Sequence, residues 1–363
     1  MKYALIGCGR ISSNHIAAAK ASGLEFTALC DTDENAMREK VIKFGLPADL
    51  PCFADYKEML SKVSIDLIAI ATESGKHAKI ALDCIEAGIS LIIEKPIALS
   101  IADADVIIKS AKEKGVKVCA CHQNRFNKSI AYIREALEKK RFGRMFYGTA
   151  HIRWNRAREY YSQAKWRGTW EQDGGALMNQ CIHNIDLLAW MMGEPIEVFA
   201  YTDKLNHDYI EAEDLGIALL RFKNGSYGII EGTTDIYPAN LEETLYLFGE
   251  KGTVKAGGQS VNIIEEWRFA DLLDNAEEVK QTYHENPPNV YGYGHIPLYA
   301  DVIAAIENNR EPYVTAEDGK RALEIVLAIY QSAAIGQPIK LPLKECAIVD
   351  FKDRFIQLGA ADK

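Results

Sequence analysis

A lysine that closes an apolar strand and a histidine on a glycine-led helix are the two groups in this sequence best suited to moving a proton. Glu94-Lys95-Pro96 ends the apolar run Leu91–Lys95. In open parallel sheets, ligands collect at the carboxyl ends of strands. A lysine there, beside a cationic ligand and partly out of water, holds its proton less tightly and can take one from a hydroxyl. The plain alternative is a surface lysine paired with Glu94. The histidine lies in Asp173-Gly174-Gly175-Ala176-Leu177-Met178-Asn179-Gln180-Cys181-Ile182-His183-Asn184-Ile185-Asp186. A helix is expected from the paired glycines to about Met192, stopping at Gly193. Asn179, His183 and Asp186 are spaced by four and three, so they share one helical face. His183 can exchange a proton near neutral pH, oriented by a neighbour such as Asp186. Its alternative is a core histidine already satisfied. No third His or Cys stands at ligand spacing, so no metal is expected.

A second motif suits an anion. Gly7-Cys8-Gly9-Arg10-Ile11-Ser12 follows an apolar strand and leads into a helix. The first glycine permits the tight turn and the second lets the backbone approach a pyrophosphate. The helix N-terminus then offers free N–H groups. Ser12 replaces the third glycine of the full fingerprint but is still small enough for close packing. Asp31 ends the next strand about twenty residues on, where a carboxylate receives the ribose hydroxyls of a dinucleotide. An acid there disfavours a 2′-phosphate, so NAD is expected rather than NADP. The alternative is that Asp31 merely ends a strand.

Residues 153–167 reverse the local charge. Arg153, Arg156, Arg158, Lys165 and Arg167 face only Glu159, and Trp154, Tyr160, Tyr161, Trp166 and Trp170 lie in or beside them. Arginines clamp phosphates and carboxylates, and aromatic rings stack on bases or sugar faces. An anionic, nucleotide-linked substrate or the cofactor pyrophosphate would suit this stretch. The alternative is a solvated loop over core aromatics.

The elements that must carry these groups are legible in outline. Apolar runs at Tyr3–Gly7, Phe26–Asp31, Asp66–Thr72, Leu91–Lys95 and Val116–His122 alternate with helical patterns at His15–Ser22, Lys76–Ala87 and Ile101–Lys114. Gly23, Gly88 and Gly115 follow helices where a left-handed cap is expected. Such alternation implies a parallel sheet covered on both faces. A helix is expected over Ser129–Lys140. Beyond residue 144 strands and hairpins dominate. Asn224-Gly225 reads as a type I′ turn between Ile217–Phe222 and Ser226–Glu231. Glu250-Lys251-Gly252 joins Thr244–Phe248 to Thr253–Ala256, and a late helix over 316–334 opens after Thr315. The fold class is therefore α/β with a parallel sheet, followed by α+β with a large, mostly antiparallel open sheet.

Length and charge narrow the partners. The 363 residues suffice for two domains. A net charge of −9 speaks against a nucleic-acid partner. No apolar run approaches a membrane span, and the N-terminus enters a strand without a leader, so a cytoplasmic protein is expected. The eight cysteines form no Cys-x-x-Cys pair; Cys119 and Cys121 read as buried thiols rather than ligands.

Together these motifs resemble the glucose–fructose oxidoreductase/inositol dehydrogenase (Gfo/Idh/MocA) family. The resemblance rests on residues 7–12, Ala71-Thr72 with His77, Glu94-Lys95-Pro96 and Gly174-Gly175 with His183, and it extends through Gly294-His295 and the late helix. It implies an NAD-binding Rossmann domain over 1–122 and a substrate-binding and oligomerisation domain over 123–363, with helix 316–334 packing back on the first. It also implies a cis Lys95–Pro96 bond and a dimer or tetramer. Many members carry Asp where this chain has Asn179, so no carboxylate is available there. Arg158-Glu159-Tyr160-Tyr161, Trp166-Arg167-Gly168-Thr169-Trp170, the Asp173–Gln180 run, and residues 237–242, 249–254 and 290–295 further resemble the WlbA-like branch. That branch oxidises the 3′-hydroxyl of UDP-N-acetyl-2-amino-2-deoxyglucuronate to a 3-keto sugar for surface polysaccharide biosynthesis.

Carried onto this chain, the resemblance makes Lys95 and His183 the catalytic pair. Gly7, Gly9, Arg10, Ile11, Asp31, Thr72, His77, Glu94, Lys95, Gln123, Trp166 and Arg167 would bind NAD. Arg156, Tyr160, Asn179, Tyr237 and Asn240, with Lys95 and His183, would bind the substrate, some of them in a neighbouring subunit's site. Two other functions stay open: a dehydrogenase of a free polyol or monosaccharide, and an NAD(H)-binding sensor without chemistry.

Overall fold

The computed structural model describes residues 1–287, 289–352 and 354. Two compact units emerge: residues 1–123 with 295–320, and residues 124–294 with 321–363. The first unit is therefore not one continuous stretch ending at 122, because 295–320 return to it. Residues 355–363 of the expected second domain lie outside the described residues.

In the first unit, strands β1 (Lys2–Ile6), β2 (Glu25–Cys30), β3 (Cys52–Phe53), β4 (Leu67–Ile70), β5 (Ser90–Ile93) and β6 (Val118–Ala120) form one sheet of order β3-β2-β1-β4-β5-β6. All pairings are parallel. The order reverses beside β1, the position at which open α/β sheets bind ligands. Strands β4 and β5 are buried at every residue, as a sheet covered on both faces requires. Helices α1 (Ser12–Ala21), α2 (Glu34–Phe44), α3 (Tyr56–Lys62), α4 (His77–Glu86) and α5 (Ile101–Lys114) connect the strands. Gly23, Gly88 and Gly115 take positive φ after α1, α4 and α5, as the caps require. Helix α2 and the pair β3–α3 had no clear sequence signal. Asp33 nevertheless caps α2 by accepting the Asn35 N–H, and Gly45 closes it at φ 57°.

In the second unit, α6 (Lys128–Glu138) ends before Lys140, which takes φ 59°. Strand β7 (Met145–Arg153) leads to the short helix α7 (Arg158–Ser162), then α8 (Ile182–Met192). The remaining strands are β8 (Pro195–Asp203), β9 (Leu215–Phe222), β10 (Tyr227–Thr233), β11 (Glu242–Gly249), β12 (Gly252–Gly257), β13 (Ile263–Phe269) and β14 (Ile339–Lys340). They form an eight-stranded sheet, antiparallel except where β7 runs parallel to β10. Burial alternates strictly along β9, so one sheet face is core and the other is open in this chain.

The β9–β10 hairpin corrects one expectation. A type I′ turn needs positive φ at both central residues, yet only Gly225 has it, at 85°. Phe222 and Ser226 pair across a three-residue loop, and the Ser226 N–H donates to Asn224 Oδ1 at 3.0 Å. This is the longer hairpin with a left-handed glycine in its last loop position.

Helices α9 (Ala276–Thr282), α10 (His295–Glu307) and α11 (Ala316–Ile335) complete the chain. Thr315 and Asp318 cap α11 reciprocally. Residues 316–320 of α11 group with the first unit and the rest of the helix with the second; within the first unit α10 packs on α1. Among the described residues, no helix is long and apolar enough to cross a membrane.

Candidate active site

The glycine motif is built as a dinucleotide turn needs. Gly7 has φ 97°, and a Cβ there would lie 2.5 Å from the Ala71 carbonyl. Any side chain would both strain the turn and strike the neighbouring strand. At Gly9 the same Cβ would meet nothing within 4 Å, so the backbone lies open on that side. Ser12 is fully buried and its hydroxyl donates to the Gly9 carbonyl at 2.5 Å, so it locks the turn in place of a third glycine. Ile11, at the cap position of α1, makes no side-chain cap, and Arg10 beside it is exposed. Asp31 accepts the Cys8 N–H at 2.6 Å and the Asp33 N–H at 2.8 Å, which fixes its carboxylate beside the turn. An open glycine backbone, an uncapped helix start and a fixed acid fit the pyrophosphate and adenosine ribose of NAD.

Lys95 follows β5, half-buried, and its bond to Pro96 is cis as expected. Two residues expected at the cofactor turn inward instead. His77 is buried, with Nδ1 2.8 Å from the Pro96 carbonyl and Nε2 3.1 Å from the Thr72 carbonyl. It braces Thr72 against Pro96 rather than facing a ligand, and burial lowers its proton affinity. Glu94 is also buried, and its carboxylate meets His15 Nε2 at 3.0 Å. Gln123 closes the first unit and is buried.

In the second unit the expected triplet splits. Gly174 has φ 87°, and a Cβ on Gly175 would sit 2.0 Å from Glu213 Oε2. A π turn over Leu177–Cys181 precedes α8 and breaks the regular spacing on which the shared face depended. Asn179 donates to Asp173, while Asp186 points inward to Arg125 through bonds of 2.8 and 2.6 Å. The Asp186 carboxylate is thus engaged by Arg125 through both oxygens. His183 itself is half-buried at the start of α8. Asp173 and Arg125 had no sequence signal, since a lone acid and a lone arginine reveal their partners only in three dimensions.

The basic stretch also divides. Arg153 binds Glu231 at 2.5 and 2.7 Å and also Glu242, so it belongs to the sheet. Arg158 pairs with Asp208 at 3.2 Å, and Lys165 is exposed. Arg156 lies 4.5 Å over Trp154 and 5.3 Å over Tyr160, and donates to Asn240 at 3.0 Å. Arg167 lies 4.3 Å over Tyr160 and 4.5 Å over Trp166, and donates to the Tyr160 hydroxyl at 2.5 Å. Tyr160 thus joins Arg156, Arg167 and Asn240 into one cationic, aromatic shelf. Tyr161 and Trp170 are core. Tyr237, by contrast, is 91% exposed.

Glu213 holds up the start of this helix. It accepts the Leu177 N–H at 2.8 Å and the Tyr330 hydroxyl at 2.9 Å. Burial still dominates and raises its pKa from an ordinary 4.5 to about 8. Burial raises Glu243, on β11, to about 8 as well. A raised folded-state pKa means that the protonated form is stabilised by folding. That stability is fully present below the unfolded value and is lost as pH rises through about 8. Thermal melting temperature should fall between about pH 5 and pH 9, and Glu213→Gln should fall less steeply. Parallel curves for wild type and variant would refute this.

Two clusters of metal-ligand types are present among the described residues: His15, Glu94, Cys121 and His295, and His207, Asp214 and Asp235. In the second, the Asp214 carboxylate already accepts the N–H groups of Leu205, Asn206 and His207.

Residues 1–122 match the model of an oxidoreductase family's NAD-binding Rossmann fold, and residues 134–341 match that family's C-terminal α/β domain. The WlbA dehydrogenase of Bordetella pertussis, solved with NADH and UDP-GlcNAcA, is 39% identical over 95% of this chain and 98% of its own, with a TM-score of 0.88. The WlbA dehydrogenase of Chromobacterium violaceum, solved with the same two ligands, is 34% identical over 95% and 96%, with a TM-score of 0.86. The myo-inositol 2-dehydrogenase of Thermotoga maritima is 24% identical over 94% of this chain and 98% of its own length.

Proposed function

Since the chain belongs to the Gfo/Idh/MocA oxidoreductase family and is an NAD-dependent oxidoreductase acting on CH–OH groups, we propose that it oxidises C3′ of a UDP-linked N-acetylated aminohexuronate. The observation that carries this reading is the whole-length likeness to two dehydrogenases solved with NADH and UDP-GlcNAcA. The shelf of Arg156, Arg167, Tyr160 and Trp166 supports it, because guanidinium groups on aromatic faces suit a diphosphate, a uronate carboxylate and a base. A free polyol would leave such a shelf without a partner.

Gly7, Gly9, Arg10, Ile11, Asp31, Thr72 and Gln123 would hold NAD, and Trp166 and Arg167 are assigned to the cofactor as well. When bound, NAD supplies the ring that accepts the hydride. Everything else falls to the chain. Lys95 and His183 share the hydroxyl proton: one takes it, and the other donates a hydrogen bond to the oxygen as negative charge develops there. Arg156, Tyr160, Asn179 and Asn240 orient the sugar, and His77 keeps Thr72 and Pro96 in place. Tyr237, exposed in its own chain, is assigned to a neighbouring subunit's site.

A cytoplasmic homotetramer making a 3-keto sugar for surface polysaccharide belongs to the same reading. The open face of the large sheet supports the oligomer, since Tyr147, Tyr201, Ile217, Leu219 and Tyr227 stand exposed on one face of strands β7–β10. Purified protein mixed with NAD⁺ and a panel of UDP-sugars should produce NADH and a product two mass units lighter only with the uronate. Turnover of inositol or glucose, with none of any UDP-sugar, would select the polyol reading. Binding of NADH with no turnover of any sugar would select the sensor.

A further inference from the structure

Three side chains outside the catalytic and binding groups converge under the segment that carries Arg156. They are His207 from the loop between β8 and β9, Asp214 just before β9 and Asp235 just after β10. Their ligand-type atoms all lie within 4.8 Å of one another. His207 Nδ1 is 3.1 Å from Asp235 Oδ1 and 3.5 Å from the Asp214 carboxylate. His207 is 2% exposed, and the Asp214 side chain is fully buried. The rings of Tyr161 and Tyr209 pack against the imidazole, with centres 5.2 and 5.3 Å away, and fix its direction. His207 Nδ1 and Asp235 Oδ1 are both buried, yet neither makes a hydrogen bond. At 3.1 Å the obstacle is angle and not distance, so the two atoms stand off line, as two ligands of one ion do. With an ion at ordinary zinc-ligand lengths from each, that separation is a ligand–ion–ligand angle of about 95°.

We propose that His207, Asp214 and Asp235 bind one divalent zinc-type ion, which clips the 204–213 loop to the end of β10. Charge supports this. Among the described residues, neither carboxylate has a lysine or arginine at ion-pair distance, and His207 is the basic group that both face. Two carboxylates taken out of water side by side need positive charge between them. A neutral imidazole and two carboxylates balance a 2+ ion, and the nitrogen ligand favours zinc over magnesium or calcium, which take oxygen. The Asp214 carboxylate accepts the backbone N–H groups of residues 205, 206 and 207 at 2.8–2.9 Å. These orient it, as the supporting bonds of a ligating carboxylate do, and leave one of its roughly four lone-pair sites for the ion. The clip bears on the shelf. The Thr234 N–H donates to the Asp214 carbonyl at 3.0 Å, and the Arg156 N–H donates to the Thr234 carbonyl at 2.9 Å. Asn155 and Asp235 also pair as an isolated bridge. The ion is structural and takes no part in hydride transfer.

The full-length protein, stripped with EDTA and then titrated with zinc, provides the test. About one equivalent should bind per chain, and saturation should raise the melting temperature by about 3 °C or more. Magnesium at the same concentration should give no rise. Asp235→Asn keeps the shape of a partly exposed side chain and should fold. It and His207→Gln should both lose the ion and the rise. His295→Gln, in the other cluster of metal-ligand types, should keep both. Wild type with no zinc-dependent rise would overturn the proposal and make the triplet a proton-sharing group. Zinc retained by both triplet variants would also overturn it, and its loss from His295→Gln would then assign the ion to the other cluster. None of these measurements needs turnover, so failure of the UDP-sugar reading leaves them readable.

Discussion

Lys95→Ala and His183→Ala should each lower kcat/KM by about 10²- to 10⁴-fold, the range for removing one positioned proton-transfer group. Lys95 ends a parallel strand within a unit whose glycine turn fits NAD, and His183 opens α8 just after the π turn from which Gln180 donates to the Tyr160 hydroxyl. If the two act on one hydroxyl, the double variant should lose little more than the worse single one, because groups that act as a unit are not additive. The pH profiles should separate the roles. Loss of the proton acceptor removes the acidic limb of kcat/KM, whereas loss of the donor lowers the plateau and leaves that limb. NADH binding by His183→Ala, followed by tryptophan fluorescence, should stay near wild type and show that the fold survives. Unchanged turnover in both single variants would sink the assignment.

Asp186→Ala should destabilise the protein by about 3–5 kcal/mol, the cost of leaving one member of a buried ion pair without its partner. Arg125 and Asp186 are each only 2% exposed, and two short bonds join them. Arg125 also lies 4.9 Å over the Trp190 ring, so the guanidinium is packed as well as paired. Asp186→Asn keeps the shape and one acceptor, so it should lose less. Replacing both partners with apolar residues, as in Arg125→Met with Asp186→Leu, should recover most of the loss, since the desolvation of both charges then disappears. Urea unfolding followed by circular dichroism measures all three. A loss below about 1 kcal/mol in Asp186→Ala would mean that the pair is not the anchor of α8.

Much of the site was legible in residue types and spacing. Gly7, Gly9 and Asp31 could be read because the demands of a dinucleotide turn are local. The strand–helix alternation of the first 122 residues exposed the parallel sheet in the same way. Where the reading failed, distant residues decided. Asn179, His183 and Asp186 share a face only on a regular helix, and the π turn over Leu177–Cys181 removes that condition. Arg153 belongs to a cationic run in the chain but to Glu231 and Glu242 in the sheet.

Alone, the sequence determined most of the strand–helix order, though not α2, β3 or α3, together with the turn that fits NAD, the lysine after its strand and the histidine on its helix. Each shows itself in a short run of residue types, even where its contacts are distant, as those of Gly7 with Ala71 and of Cys8 with Asp31 are. Only tertiary structure decided which charges serve the fold and which are left to chemistry. It assigned Asp186 to Arg125, brought His295 back across the chain to Glu94, and joined Arg156 and Arg167 through Tyr160. The physical reason is that a buried charge is tolerable only beside its partner, and sequence separation says nothing about who that partner is.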